Sequence, residues 1–228
     1  MLSIMTTRQP QSSTRCRTRD ANSPGETSPG SVFLFDERRA TFVDRCEALG
    51  MSVRSRLASG TLTIEQIEPG EVSPGEFASR VRRRVDDHGC RVVMIDSMNG
   101  YLHAIPSGEA PLVRMHELLA YLNERGVATI LITAQHGMMG MHMAAPIDVS
   151  YLADCVILLR FFEAHGSVRK AISVVKKRSG AHEESIRELK FDERGIHLSE
   201  PLTQFRGILT GVPLELDSDN REIQVARE

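Results

Sequence analysis

RVVMIDSMNG, Arg91–Gly100, sets four apolar residues, Val92, Val93, Met94 and Ile95, directly before Asp96 and a small polar turn. A short apolar run bounded by polar residues reads as a strand buried on both faces, the kind found in a parallel sheet covered by helices. Asp96 then emerges where that strand meets solvent, a position from which a carboxylate can orient a water on magnesium without being itself desolvated. An ordinary strand ending at a turn has the same pattern, so the flanking sequence must discriminate.

Outward from this stretch, strands and helices alternate. SVFLFDE (Ser31–Glu37) reads as a buried strand ending in two acids, and RATFVDRCEALG (Arg39–Gly50) follows with Phe42, Val43, Cys46 and Leu49 at helical spacing and a terminating glycine. TLTIEQIE (Thr61–Glu68) reads as a second strand, and SPGEFASRVRRRVDDHG starts on a Ser-Pro cap signal with Phe77, Val81 and Val85 on one face. After Arg91–Gly100, PLVRMHELLAYLNERG predicts a helix with Leu112, Met115, Leu118, Leu119 and Leu122 inward, and VATILITAQHG a fourth strand ending at Gln135. Such alternation predicts a mainly parallel sheet flanked by helices, with ligand groups gathered at the carboxyl ends of the strands. From Asp154 the pattern changes to strand-like runs joined by short turns, which predicts an antiparallel extension of the sheet.

The first 30 residues are rich in Ser, Thr, Arg, Pro and Gly and read as disordered, as does the tail 214–228. One domain, residues 31–213, is therefore expected within the 228-residue chain, whose 41% apolar content suffices for a core. A formal net charge of −2 gives no call for nucleic acid or an acidic membrane as partner. Cys16, Cys46, Cys90 and Cys155 form no CxxC pair, which argues against a zinc site and a disulfide framework. Without an apolar run of about 20 residues or a secretory leader, a cytoplasmic protein is expected.

Several groups carry candidate chemistry. Asp36 and Glu37 could support a metal and polarise a water, or simply decorate a helix N-terminus. Gln135 could sense a phosphate or position water, or satisfy a loop. KKRSGAH (Lys176–His182) holds two of only four lysines, with an arginine and a histidine, which makes a solvated turn a less complete account of it. On a strand, Lys176 and Arg178 would share a face and could reach one anionic group together. GMMGMHMAAP (Gly137–Pro146) reads as an adaptable Gly- and Met-rich loop.

DERRATFVDRCEALGM, SPGEFASRVRR, VVMIDSMNGYL, YLADCVILLRFFE, SVRKAISVVKKRSGAHEESIREL and FRGILTGVP, in this order over Ser31–Pro213, together resemble the KaiC-like branch of the RecA-type ATPases. The resemblance implies a RecA-like core, assembly into hexameric rings, and hydrolysis of ATP with Mg2+ between neighbouring protomers, in a signalling family that includes the circadian clock protein. By position it implies that Asp96 is the metal-binding acid of the strand end and that Asp36 and Glu37 occupy the place of an acidic pair serving metal and water. It further implies that Lys176, Lys177, Arg178, Gly180 and His182 reach across to a neighbour's nucleotide, neutralising charge as arginine fingers do.

Two departures qualify the likeness. No Gly-Lys dipeptide occurs and no lysine precedes Lys170, so the phosphate loop G-x-x-x-x-G-K-[ST] is absent, and with it the family's first strand and helix. The family's paired hydroxyl residues for self-phosphorylation stand here as Ser150-Tyr151, leaving Ser150 as the candidate phosphosite. The expectation is an ATPase-type domain, an incomplete copy that binds ATP poorly alone. The alternative is a non-catalytic subunit that joins rings of intact relatives, as a homo-oligomer or mixed ring, and lends them Lys176 and Arg178. A third reading is a coding-frame or start error that leaves no independent function.

Overall fold

The computed structural model describes residues 2–7, 28–68, 70–104, 110–134, 152–192, 195–210 and 212–216. Its sheet has nine strands. In chain order these are β1 (Leu2–Thr7), β2 (Gly30–Leu34), β3 (Leu62–Gln66), β4 (Val92–Asp96), β5 (Ala128–Ala134), β6 (Cys155–Ala164), β7 (Ser167–Lys177), β8 (Arg187–Asp192) and β9 (Gly195–Pro201). They lie side by side as β3-β2-β4-β5-β1-β6-β7-β8-β9. β3, β2, β4 and β5 are mutually parallel, and every pairing from β1 onward is antiparallel. This is the RecA-like α/β arrangement with its antiparallel extension.

Helices cover both faces of the parallel part because alternate residues of each strand point to opposite sides. Phe33, Val93, Ile95 and Leu131 pack with α3 (Pro74–Asp86) and α5 (Pro111–Glu124) through Phe77, Val81, Met115, Leu118 and Leu122. On the other face, Val32, Leu34 and Ile64 meet Phe42 and Val43 of α1 (Arg39–Ala48) and Val53 of α2 (Val53–Ala58). The predicted start of α3 is present: Ser73 Oγ accepts a hydrogen bond from Glu76 N–H at 3.2 Å, and Pro74 takes the first helical turn, where its missing N–H costs nothing. α5 ends ahead of Gly126, whose φ of +65° suits glycine.

Three sequence expectations require correction. The opening segment is not uniformly irregular, since Leu2–Thr7 forms β1 in the middle of the sheet. Six residues are diluted in a window dominated by Ser, Arg and Pro, and β1 draws its stability from backbone pairing on both sides, which composition does not register. The polar turn after Asp96 is a helix, α4 (Met98–Ala104), with Met98, Asn99, Gly100 and Tyr101 buried. The tail begins in a short strand, β11 (Leu214–Glu215), paired with β10 (Phe205–Arg206). Residues 8–27 and 217–228 lie outside the described residues.

Candidate functional site

Parallel register brings the acids together. Leu34 of β2 and Ile132 of β5 flank Asp96 on either side, so the residues just past Leu34 emerge beside the residues just past Asp96. Phe35 N–H donates to Asp96 C=O at 2.7 Å and extends the ladder one step beyond the strand. Asp36 and Glu37 then leave the sheet next to Ser97, which follows Asp96 through a cis peptide bond.

Each acid has a different environment. Ser97 O–H donates to Asp36 Oδ2 at 2.5 Å, while the same hydroxyl oxygen accepts from Gly100 N–H at 3.1 Å. Glu37 is gripped from α1 by Arg45, whose two terminal nitrogens sit 2.8 Å from its two carboxylate oxygens, the bidentate geometry a guanidinium favours. Asp96 is held above the usual carboxylate range, first by burial, then by the charge of Glu37, with Asp36 adding a smaller push and Arg45 opposing it.

Gly100 is a steric requirement of this arrangement. A Cβ there would lie 2.5 Å from Asp36 Oδ2 and 2.5 Å from Phe35 Cβ, so only glycine lets the first turn of α4 close on the end of β2. Asn99 Oδ1 accepts from Ala134 N–H at 2.8 Å and ties α4 to the end of β5. Tyr101 stacks edge-on against Phe35 at 5.8 Å and donates its hydroxyl to Pro111 C=O at 3.1 Å. The acids thus stand on a packed floor linking β2, β4, β5 and α4.

The cationic segment lies elsewhere. Lys176 and Lys177 pair with Val156 and Cys155 at the start of β6. Through β1, that start lies level with the middle of β5, and the chain beyond Lys177 heads toward the amino ends of the parallel strands. Lys176 and Lys177 therefore stand four strand positions from β4, and the segment beyond Lys177 runs away from the end where the acids emerge. Arg178 lies past the strand end, half-exposed and 3.6 Å from Asp154, so it does not continue the strand alternation with Lys176. Lys177 Nζ donates to Ala181 C=O at 2.9 Å across a turn in which Gly180 has φ +74°, and His182 is partly buried beyond it. Gln135, the Gly137–Pro146 loop and Ser150 lie outside the described residues.

The sequence reading missed Arg45, Ser97, Asn99 and Gly100 as contributors. Ser97 and Gly100 stand within the quoted strand end, but their roles depend on Asp36, 61 residues away for Ser97. Arg45 alone left a local trace, two helical turns after Glu37.

Among the described residues no three His, Cys, Asp or Glu side chains converge on a point that could hold a metal ion, and no helix is long and apolar enough to cross a membrane. Asp36 and Glu37 are already engaged by Ser97 and Arg45. β1 enters the sheet antiparallel, with Leu2 beside Ala134 and Thr7 beside Thr129, so the chain leaving β1 departs from the end opposite Asp96. Asp36, Glu37 and Asp96 are thus acids at the ends of neighbouring strands, two of them already held by side chains of this chain.

Comparison with known proteins agrees with this architecture. The family described as ATPase: KaiC matches residues 23–203. The chain is similar to the circadian clock protein KaiC3 of Synechocystis, 22% identical over 80% of this chain and 36% of the relative. It is similar also to the circadian clock oscillator protein KaiC of Synechococcus elongatus, 22% identical over 83% of this chain and 36% of the relative. A third similarity, to the circadian clock oscillator protein KaiC of Prochlorococcus marinus, is 22% identity over 83% of this chain and 38% of the relative. The chain thus spans a little over a third of the length of these relatives. With a match across most of its length and the RecA-like sheet to carry it, the chain belongs to the KaiC ATPase family.

Proposed function

We propose that this chain is a KaiC-type domain that keeps the acid side of an ATPase site and binds ATP poorly on its own. The observation that carries this reading is the placement of Asp36, Glu37 and Asp96 at the ends of neighbouring parallel strands, while the chain leaves β1 at the opposite end. In this reading Asp96 and Asp36 would hold Mg2+, Glu37 would polarise water, and Gln135 would position it. Bound Mg2+ and ATP would supply the transferable phosphoryl group and the charge that stabilises its departure. For the chain's own part, Ser97 and Gly100 orient Asp36, and Arg45 holds Glu37 until another cation competes for it. Titration of the purified protein with a fluorescent ATP analogue in Mg2+ buffer should show no saturation at micromolar concentration. Micromolar affinity would sink the reading.

A second reading is favoured by the distant placement of the cationic segment: an interaction subunit that completes a neighbour's site. Lys176–His182 lie on β7 and the turn after it, four strand positions from β4 and its acid, which favours a nucleotide held by another protomer. Arg178 would have to trade its pairing with Asp154 for a phosphate. Mixing the protein with an intact KaiC-type relative tests this. Co-elution with a changed ATPase rate supports it, and neither effect rules it out. Phosphorylation at Ser150 belongs to the same set of proposals and is read by mass spectrometry after incubation with ATP.

A further inference from the structure

β1 is the only strand of the nine-stranded sheet reached through the long segment 8–29, and it sits in the interior, not at an edge. Leu2–Thr7 pairs with Ala134–Thr129 on one side, and Leu2–Thr6 pairs with Leu159–Cys155 on the other. β5 and β6, both antiparallel to β1, run parallel to each other without pairing. Withdrawal of β1 would leave a gap one strand wide, with a row of unmatched N–H and C=O groups on each wall. Only an extended segment can satisfy both rows at once.

The chain connecting β1 to the rest of the domain is far longer than its task requires. β1 ends beside Thr129 and β2 begins at Gly30, level with Val92 and hence with Ala128, so both ends of the connection lie at the same end of the sheet. They are three strand positions apart, about 14 Å at ~4.8 Å per strand. Residues 8–29 could reach about 75 Å at ~3.4 Å per residue.

We propose that the β5–β6 gap is a strand-acceptor site that takes β1 from a second copy of this chain, giving a reciprocal two-fold dimer in which each sheet is closed by its partner's N-terminal strand. A second copy is the natural occupant because its Leu2–Thr7 makes the same backbone bonds in the same register, so exchange creates no new strain and loses no pairing. Closure within one chain is favoured at low concentration by the tether, and exchange gains as the protein concentration approaches the tether's effective concentration, of order mM.

The test uses full-length chains. Thr6 lies opposite Cys155, so a tagged copy carrying Thr6→Cys with Cys155→Ser can form a disulfide at this pair only with an untagged natural copy. Co-refolding the two at high concentration, oxidising, and mapping the peptides should give a tagged–untagged bond between position 6 and Cys155, with a dimer fraction that rises with concentration. A control copy carrying Thr6→Cys alone should form the bond within one chain when refolded dilute. If the control bond forms and the intermolecular bond is absent up to about 1 mM, exchange is overturned. If neither forms, β1 does not occupy the gap and the proposal falls with it. A peptide of residues 1–10 added in excess during refolding should return dimer to monomer by filling the acceptor gap, a readout independent of the substituted cysteines. Dimer that is indifferent to the peptide is held by another surface and counts against the proposal.

Discussion

The parallel part of the sheet and its antiparallel extension are built on different terms. In the first, Phe33, Leu34, Val93 and Ile95 are completely buried, because helices lie on both faces. In the second, Val168 is 60% exposed, Leu198 54% and Ile196 50%, and the small cluster around Phe162, Ala171 and Ile208 covers one side only. The acids stand on the doubly covered part, where packing fixes their spacing; the cations stand on the singly covered part, where strand ends remain open to solvent or a partner.

The largest effect should come from cutting into the doubly covered part. Phe33→Ala removes a ring that meets Phe77 edge-on at 5.4 Å and should cost about 3–5 kcal/mol, read by urea denaturation. Ile196→Ala in the extension should change stability by less than about 0.5 kcal/mol. Equal losses would show that the extension is covered in solution.

Gly100→Ala comes next. The added methyl meets both the Asp36 carboxylate and the Phe35 Cβ, neither of which can withdraw without opening the β2–α4 contact, and about 1–3 kcal/mol should be lost. Gly75, where the nearest atom to an added Cβ is 4.0 Å away and which lies in α3, is the control, and Gly75→Ala should be neutral or stabilising.

The pH dependence of Asp96 is a smaller effect. Burial and the neighbouring Glu37 charge hold its carboxyl above the ordinary 3.8 in the folded state, so the folded protein holds that proton more tightly than the unfolded chain. The resulting stabilisation is complete below 3.8 and is lost as pH rises through the folded value. Asp96→Asn should therefore raise stability at neutral pH relative to the natural protein and abolish this pH-dependent contribution above 3.8, measured by denaturation at a series of pH values. Arg45→Gln should push the Asp96 titration further upward, since the guanidinium is the one group opposing the shift. For overall stability that substitution is the smallest perturbation, about 0–1 kcal/mol, because the Arg45 side chain is 55% exposed.

Legibility followed range. The inward faces of α3 and α5, the Ser73 cap and the β6–β7 turn at His165–Gly166 are local periodicities or single-residue conformations and could be read from the chain. α4 looks like a turn in the sequence because its helical signal is only seven residues long and its packing depends on Asp36 and Ala134, far away in sequence. β1 was hidden for a related reason: strand pairing, not composition, holds it in place.

By itself the sequence determined the family, the strand–helix alternation, the acids at the strand ends and the absence of a Gly-Lys phosphate loop, because each is written in residue identity or short spacing. Only the tertiary structure decided that Asp36 is oriented by Ser97 and walled by Gly100, that Arg45 holds Glu37, and that the cations stand four strand positions from β4. Register and strand direction set those relations, and both come from backbone pairing between segments that the linear order keeps apart.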